Sequence, residues 1–407
     1  MTFKTGQELE SHYVMATFAR KPLCLVRGDG MYLFDDEGKQ YLDFLSGIGV
    51  VSLGHCHPAV VAAISAQAEK LIHVGNYFYI ENRGEVAQMV SELLAQGGQG
   101  AESAVVSDPT WKSFFANSGA EANECAIKLA RLYAKNTGRQ AHNVVTLKSS
   151  FHGRTLVTLA ATAQPVKQEV FQPLPSGFIH TPINDIEALE SLFSQAADSI
   201  CAIMVECIQG ESGVHPCTSE FLQAAERLAH ESGALLIGDE IQSGIFRCGT
   251  PFAYQHFGIQ PDIVTIAKGV ASGFPMGMCS ARASVANTFE PGDHGSTFGG
   301  SNLAIASAKA TLELLSVPAF GKHVEDVGVY LREKLSELPF VEEVRGFGLM
   351  CGFDLKEGYS ASALVDNARQ AGLIVNATGS QTVRLLPPLV CEKAHVDEAV
   401  AIIRLSP

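Results

Sequence analysis

The chain has 407 residues, of which 46% are hydrophobic and 18% are charged, so it can bury a large core and is not a disordered protein. This length suits an α/β protein of two or three parts rather than one small domain. Asp and Glu outnumber Lys and Arg by 43 to 29, and the formal net charge of −14 argues against nucleic acid and anionic membranes as partners.

The cysteine pattern and the N-terminal segment indicate a protein of the cytoplasm. The ten Cys residues are scattered, without a CxxC pair or a cluster typical of a disulfide framework. His55, Cys56 and His57 are adjacent, and adjacent side chains rarely converge on one ion, so we predict no metal site. The N-terminal segment lacks the apolar stretch of a signal peptide, and no apolar run approaches the roughly 18 residues of a membrane span.

The predicted elements begin with a hairpin and continue as alternating strands and helices. Residues 32–35 and 41–44 flank the turn sequence Asp36-Glu37-Gly38, which predicts a β-hairpin. Five later runs predict strands, many of them apolar throughout as in parallel sheets buried on both faces, at residues 114–117, 143–147, 201–206, 234–239 and 263–267. Helical periodicity at residues 121–135 and 220–231 lies between them, so we predict βαβ units.

The C-terminal part differs from the centre. From about residue 303 an Ala-rich helical pattern is followed by short strand-like pieces around Ile374 and Val383, and no linker or repeat interrupts the chain. We therefore predict an α/β fold with a large domain at residues 61–302, whose mostly parallel central sheet is flanked by helices. Residues 1–60 and 303–407 are predicted to form one small α+β domain from both chain ends.

A loop that opens a helix offers the first candidate binding group. The sequence Asn117-Ser-Gly-Ala-Glu121 lies between a predicted strand and a predicted helix. Backbone N–H groups at such a helix N-terminus attract anions, which suits a phosphate. An ordinary capping box, with Ser118 as the N-cap and Glu121 as its partner, explains the same residues equally well.

Two charged residues follow apolar strands. Asp239 comes after a buried run, where a carboxylate needs strong hydrogen bonds or a cation such as a protonated pyridine nitrogen. Lys268 follows another such run, and a lysine held there can have a lowered pKa and attack carbonyl groups. Taken alone, Asp239 is better explained as a helix cap or salt bridge, and Lys268 as a solvated surface lysine.

The combination of these groups is more informative than any one of them. The run Ser150-Phe-His-Gly-Arg-Thr155 adds an aromatic face for stacking and an arginine for a carboxylate. A phosphate loop, a buried aspartate, a lysine at a strand end, an aromatic ring and an arginine are the parts that pyridoxal 5′-phosphate (PLP) chemistry needs. The sequence therefore predicts PLP as the cofactor.

Ordered motifs along nearly the whole chain resemble one enzyme family. The sequence is similar to the class III (subgroup II) aminotransferases of the PLP fold-type I group, and within them to enzymes that act on N2-acetylornithine. The matching segments are Leu53-Gly-His-Cys-His-Pro58, Asn117-Ser-Gly-Ala-Glu-Ala-Asn123, Phe151-His-Gly-Arg-Thr155, Val205-Glu-Cys-Ile-Gln-Gly-Glu211, Asp239-Glu-Ile-Gln242, Ala267-Lys268, His294-Gly-Ser-Thr-Phe-Gly-Gly300 and Arg384-Leu-Leu-Pro-Pro-Leu389.

The resemblance implies a role for each group near the cofactor. These roles are Lys268 for the Schiff base and proton transfer, Asp239 for the pyridine nitrogen, Gln242 for the ring 3′-oxygen, Phe151 and Ile241 for the two ring faces, and Ser118, Gly119 and Ala120 for the phosphate. It also implies a homodimer with shared active sites, in which Thr297 reaches the neighbour's phosphate and Ser296 lies near the neighbour's substrate.

The resemblance further implies how two substrates share one site. Arg154 would bind the α-carboxylate of acetylornithine and the distal carboxylate of 2-oxoglutarate. Arg384 would bind the α-carboxylate of glutamate, and Glu206 would mask Arg384 during the other half-reaction. The expected mechanism is ping-pong, within arginine biosynthesis.

Other functions stay open at this point. Succinyl-ornithine, succinyl-diaminopimelate, ornithine and 4-aminobutyrate are alternative amine donors, although Ile48 stands where ornithine δ-aminotransferases carry Tyr, which favours an acylated substrate. PLP-dependent isomerases share the fold, but Arg154 supplies a second carboxylate site that an aminomutase does not need. A PLP-binding regulatory protein without turnover would have no use for a switch between a glutamate and an arginine.

Overall fold

A computed structural model describes residues 3–96 and 110–407. The helices of these ranges are α1 Phe3–Tyr13, α2 Ser46–Gly49, α3 Pro58–Lys70, α4 Arg83–Ala95, α5 Gly119–Asn136, α6 Leu156–Ala161, α7 Pro165–Gln168, α8 Ile186–Ala196, α9 Ser219–Glu231, α10 Ala283–Ala286, α11 Asn302–Leu315, α12 Pro318–Ser336, α13 Ala361–Gln370 and α14 Lys393–Arg404. No single one of them is long and apolar enough to cross a membrane, and α11 with α12, bent by 75°, passes that test only as a pair.

The strands of the described ranges belong to one large sheet and several small ones. Their bounds are β1 Leu25–Asp29, β2 Tyr32–Asp35, β3 Gln40–Asp43, β4 Trp111–Ala116, β5 Asn143–Leu147, β6 Phe178–Thr181, β7 Ile200–Val205, β8 Ile208–Gln209, β9 His215–Pro216, β10 Leu235–Asp239, β11 Ile263–Ile266, β12 Gly277–Arg282, β13 Val341–Phe347, β14 Met350–Leu355, β15 Leu373–Ile374, β16 Asn376–Ala377 and β17 Thr382–Leu385. The predicted hairpin corresponds to β2 and β3, which pair antiparallel.

The central sheet has seven strands within the described residues, in the order β4-β12-β11-β10-β7-β5-β6. Its pairings are parallel except those of β12, which runs antiparallel to both β11 and β4. The predicted mostly parallel sheet flanked by helices is therefore confirmed, and β6 and the antiparallel β12 are the two strands of this sheet that the sequence did not indicate. The carboxyl ends of the parallel strands meet at one edge, where ligands collect in such sheets.

Helix α5 shows why this fold suits the sequence. Cys125, Ala126 and Leu129 recur on one face of the helix and are buried against apolar side chains of the sheet such as Met204 and Ile237. Small residues on that face let the helix lie close to the strands. Its N-terminus is thereby brought to the edge of the sheet where the parallel strands end.

The two ends of the chain meet in a smaller sheet. Strand β15 pairs parallel with β3, and the backbone N–H of Phe44 donates to the carbonyl of Ile374 at 2.9 Å. Strands β13, β14, β17 and β16 form a further antiparallel sheet in the C-terminal part. The pairing joins residues of both predicted small-domain segments, and the division at residues 60 and 302 stays a prediction.

The His55-Cys56-His57 sequence takes part in structural contacts. The Nε2 atom of His55 lies 2.7 Å from the Asp43 carboxylate, and the Nδ1 atom of His57 accepts a hydrogen bond from the backbone of Ala59 at the start of α3. Within residues 3–96 and 110–407, no group of three or more His, Cys, Asp or Glu side chains could hold a metal ion.

Candidate active site

A cleft of about 450 Å³ opens at the carboxyl ends of the parallel strands. Asp239 ends β10, Lys268 follows β11, and Glu206 follows β7 directly. The cleft brings together most of the predicted site residues, namely Ser118, Gly119, Ala120, Phe151, Arg154, Glu206, Asp239, Ile241, Gln242 and Lys268. Residues from five separate chain segments therefore meet in one place.

The N-terminus of α5 forms one wall of the cleft. Ser118 is its N-cap, and its hydroxyl oxygen accepts a hydrogen bond from the backbone N–H of Glu121 at 3.2 Å. The Glu121 carboxylate accepts from the backbone and side chain of Asn117 instead of returning to Ser118, so only half of the capping box is present. A Cβ at Gly119 would lie 2.7 Å from the Ile241 side chain, so this close approach requires glycine.

Asp239 is buried and surrounded by hydrogen-bond donors. Its Oδ2 atom accepts from the Asn123 amide at 2.9 Å and lies 2.7 Å from Nδ1 of His152, and its Oδ1 atom accepts from the backbone of Ile241 at 3.1 Å. Burial acts to lower the pKa of His152, but the hydrogen bond and the charge of Asp239 outweigh it and raise that pKa. The carboxylate is thus fixed in orientation where it faces the cleft.

Lys268 has a positive backbone φ angle and a lowered side-chain pKa. Its φ angle of 47° lies in the left-handed region, a strained conformation that is common at functional sites. Burial lowers the pKa of its ammonium group, although the nearby Glu211 and Asp239 oppose this shift. Within the described part of the chain its Nζ atom has no hydrogen bond or ion pair. A lysine with these properties can act as a nucleophile and exchange protons.

Arg384 is paired with Glu211, which corrects the prediction for Glu206. One of its guanidinium nitrogens donates to Glu211 at 2.9 Å, to the carbonyl of Gly210 at 3.0 Å and to the Gln242 side chain at 3.0 Å. The predicted Glu206–Arg384 pair is wrong, since the Glu206 carboxylate accepts from the backbone of Phe151 at 2.8 Å. The turn between β8 and β9 carries Glu211 to the arginine, whereas Glu206 stays at the end of β7.

The two glutamates differ in charge as well as in position. Burial raises the pKa of Glu206 to about 7, and the charge of His152 opposes this rise. Burial acts in the same direction on Glu211, but the charge and hydrogen bond of Arg384 outweigh it and lower the pKa of that carboxyl. Arg384 therefore favours the charged form of Glu211, whereas burial favours the protonated form of Glu206.

Four predicted residues lie apart from the cleft or at its rim. Arg384 does not line the cleft, and it reaches it through its hydrogen bond to the lining residue Gln242. Arg154 lines the cleft with an exposed side chain, and its guanidinium carbon is 5.6 Å from the centroid of the Phe151 ring. Ser296 only approaches the cleft, where its hydroxyl accepts from the Asn117 amide at 3.1 Å. Thr297 is exposed and does not line the cleft of its own chain.

Sequence reasoning missed three residues that the structure places in contact with predicted ones. These are His152 and Asn123, both partners of Asp239, and Glu211, the partner of Arg384. All three stand within the motifs that carry the family resemblance, so the motifs contained the signal. Their contacts cross long stretches of chain, and local sequence does not specify them.

The donor set of the cleft fits PLP. A helix N-terminus suits the phosphate, the Asp239 carboxylate suits a protonated ring nitrogen, and Lys268 suits the aldehyde carbon. Phe151 and Ile241 supply apolar surfaces between which an aromatic ring can lie. No other described cleft combines these groups, and this one is large enough for a cofactor and a small substrate.

Comparisons with known proteins agree with this geometry. The family model described as aminotransferase class-III matches residues 14–405. The acetylornithine aminotransferase of Caldanaerobacter subterraneus subsp. tengcongensis is 45% identical over 401 residues, covering 97% of each chain. The acetylornithine aminotransferase of Methanocaldococcus jannaschii is 42% identical, covering 97% of this chain and 95% of that protein.

Solved structures share the fold across the whole chain. The ornithine aminotransferase of Toxoplasma gondii ME49 is 29% identical with a TM-score of 0.90, covering 100% of this chain and 95% of that one. The acetylornithine aminotransferase of Elizabethkingia anophelis is 32% identical with a TM-score of 0.85, covering 100% and 99%. The fold, the cleft and the family match lead to one conclusion: this chain belongs to the class-III aminotransferases and is a PLP-dependent aminotransferase.

Proposed function

We propose that this enzyme transfers the terminal amino group of N2-acetyl-L-ornithine to 2-oxoglutarate, giving N-acetylglutamate 5-semialdehyde and L-glutamate in the cytoplasm. Relatives named acetylornithine aminotransferase are 40–45% identical to this chain over nearly its full length, which supports this donor. The reaction belongs to arginine biosynthesis.

One observation carries the proposal: Arg154, which lines the cleft, and Arg384, which contacts the cleft residue Gln242, differ in whether they have a partner. Arg154 has no ion-pair partner among the described residues, whereas Arg384 is buried and paired with Glu211 at 2.9 Å. Acetylornithine carries one carboxylate, far from its reacting amine. Glutamate carries two, one of them beside its reacting amine. A site with one arginine always available and a second that is released only for the dicarboxylate suits both acetylornithine and glutamate.

We assign the cofactor contacts residue by residue. Ser118, Gly119 and Ala120 would hold the phosphate of PLP at the N-terminus of α5, and Asp239 would pair with its ring nitrogen. Bound PLP supplies an electron sink that stabilises a carbanion at the reacting carbon. The remaining contacts would be Phe151 and Ile241 on the ring faces and Gln242 at the ring 3′-oxygen.

The protein's own side chains supply the proton chemistry. Lys268 can take a proton from the reacting carbon and return it nearby, because burial lowers the pKa of its amino group. His152 lies 2.7 Å from the Asp239 carboxylate and holds it in one direction, so that it can pair with the ring nitrogen. Arg154 orients the amine donor through its carboxylate, and Glu211 neutralises Arg384 while that donor is bound.

The surface beside the cleft supports a homodimer. Tyr77 and Tyr79 are almost fully exposed, and Phe298 is 62% exposed, with its ring 5.1 Å from that of His73. The Asn76 amide joins the two segments by donating to the carbonyls of Ser296 and Gly299 at 2.7 and 3.2 Å. Exposed aromatic side chains are enriched at interfaces. Thr297 is the exposed neighbour of Phe298 in the chain, and we propose that it reaches the phosphate site of the partner subunit, with Ser296 near the partner's substrate.

Molar mass in solution and cofactor retention test the dimer. We expect twice the chain mass by light scattering and weaker PLP retention in Thr297→Val at unchanged dimer mass. A monomer with full activity would contradict the shared-site proposal.

A panel of amine donors tests the substrate. Steady-state kcat/KM values with 2-oxoglutarate as acceptor should be highest for N2-acetylornithine, compared with N2-succinylornithine, ornithine, N-succinyl-diaminopimelate and 4-aminobutyrate. Ornithine is the most informative comparison, because it lacks only the acyl group. A clear preference for 4-aminobutyrate or ornithine would overturn the proposed donor and leave the reaction class intact.

A further inference from the structure

Lys167 lies on a short turn that is anchored on both sides. The side-chain amide of Gln164 donates to the carbonyl of Ser150 at 2.9 Å, and the amide of Gln168 donates to the carbonyl of Thr162 at 2.7 Å. The first bond ties the start of α7 to the residue before the Phe-His-Gly-Arg motif, and the second ties the end of α7 to the end of α6. The backbone of Lys167 is therefore held in place at the rim of the cleft.

Lys167 and Arg154 approach the same aromatic ring. The Nζ atom of Lys167 is 4.9 Å from the centroid of Phe151, and the guanidinium carbon of Arg154 is 5.6 Å from it. Neither side chain has a hydrogen bond or an ion pair within the described ranges. Two like charges near one ring repel each other unless an anion lies between them or beside them.

The electrostatics of Lys167 connect it to the substrate end of the cleft. Burial lowers its pKa, and the charge of Arg154 lowers it further. Glu211 and Glu206 oppose this shift, and Arg384 adds to it. Lys167 thus lies within the electrostatic reach of charged groups in and beside the cleft, although it does not line the cleft itself.

We propose that Lys167 is the second cation of the subsite that takes the substrate carboxylate remote from the reacting group. This inference rests on the proposed function, which assigns that carboxylate to Arg154. A guanidinium binds both oxygens of a carboxylate in one plane, and an ammonium group adds charge from another direction. The pair would favour donors and acceptors that carry a remote carboxylate over those that lack one.

A purely structural role for Lys167 predicts different behaviour. If its ammonium group only held the Phe151 ring through a cation–π contact, its removal would weaken PLP retention and slow every donor alike. If it binds the remote carboxylate, its removal would affect only substrates with that group. Glutamate and alanine separate these cases, because both carry an α-carboxylate and only glutamate carries a second one.

The experiment measures single-turnover half-reactions of the PLP-loaded enzyme by cofactor absorbance. We expect Lys167→Met to lower the second-order rate constant for glutamate and for N2-acetylornithine by roughly tenfold and to leave alanine unchanged. Lys167→Arg should restore most of the loss. Lys135→Met is the matched control, since it removes an exposed lysine on the same large domain at roughly 24 Å from the N-terminus of α5.

Each result decides the inference. An unchanged ratio of glutamate to alanine in Lys167→Met would overturn it, and so would an equal loss for both donors together with weaker PLP retention. If the wild-type enzyme did not react with N2-acetylornithine, that result would overturn the proposed amine donor but not the role of Lys167. The glutamate-to-alanine ratio would still test Lys167 in that case.

Discussion

At the inner end of the cleft, Asp239 has three hydrogen-bond donors around it, whereas at the outer end Arg154 has no polar partner among the described residues. The inner groups are buried, and the Asn123 and His152 contacts hold the carboxylate in one orientation. Arg154 is exposed, and buried Arg384 is paired with Glu211. In the proposed function, the inner end holds one permanent cofactor and the outer end receives two substrates in turn.

The largest effect is expected at Lys268, which lies between these two ends. We expect Lys268→Ala to lower kcat by several orders of magnitude, because it removes both the nucleophile and the proton carrier. Borohydride reduction followed by peptide mapping should locate the cofactor on Lys268 in the wild-type enzyme and nowhere in the variant. Lys268→Arg keeps the charge and should fail as well, since a guanidinium does not lose its proton. Unchanged absorbance with intact activity in Lys268→Ala would contradict the assignment.

A smaller loss of kcat is expected when only the negative charge of Asp239, at the inner end, is removed. Asp239→Asn keeps the size of the side chain but removes the carboxylate that would hold the ring nitrogen in its protonated form. An adjacent opposite charge shifts a pKa by about 1–3 units, so we expect kcat to fall by roughly 10- to 1000-fold. Steady-state rates and a pH titration of cofactor absorbance measure this loss.

A second aspartate–histidine pair provides the matched control for Asp239. Asp262 contacts His230 at 3.0 Å and accepts from the backbone of Leu236 at the opposite edge of the same sheet. Asp262→Asn should leave kcat close to the wild-type value, because this pair does not face the cleft. If both variants lost the same activity, fold stability rather than the ring nitrogen would be the cause.

The smallest effect concerns the choice between donors at the outer end. We expect Glu211→Gln to raise the kcat/KM ratio of glutamate over N2-acetylornithine by about tenfold, because Arg384 would stay unmasked. Glu206→Gln is the control, and it should change both donors alike because Glu206 does not contact Arg384. If Glu206→Gln raised this ratio and Glu211→Gln left it unchanged, Glu206 would be the residue that masks Arg384.

The sequence was most informative where local pattern decides structure. Apolar runs located β5 at its observed bounds and placed Asp239 and Lys268 at strand ends, and the parallel sheet then brought both residues to one edge. The partner of Arg384 was predicted wrongly, because the choice between Glu206 and Glu211 depends on how the turn after β8 folds. No local pattern encodes that turn.

Strand β12 and residue His152 show the same limit in other ways. Strand β12 was not indicated by the sequence at all, and its antiparallel direction depends on its neighbours β11 and β4 in the sheet. His152 was visible in a motif, but its role requires knowing that Asp239 lies 2.7 Å away although the two residues are 87 positions apart. Contacts across the chain are set by packing of the whole domain.

The pairing of β15 with β3 has a consequence for how the chain is synthesised. Strand β3 is made early, but its parallel partner at Leu373–Ile374 emerges only after most of the chain. At typical rates of about 5–20 residues per second, the edge of the N-terminal hairpin waits roughly 15–65 s on the ribosome for its partner. During that time the hairpin has an unpaired strand edge of the kind that can pair with another chain.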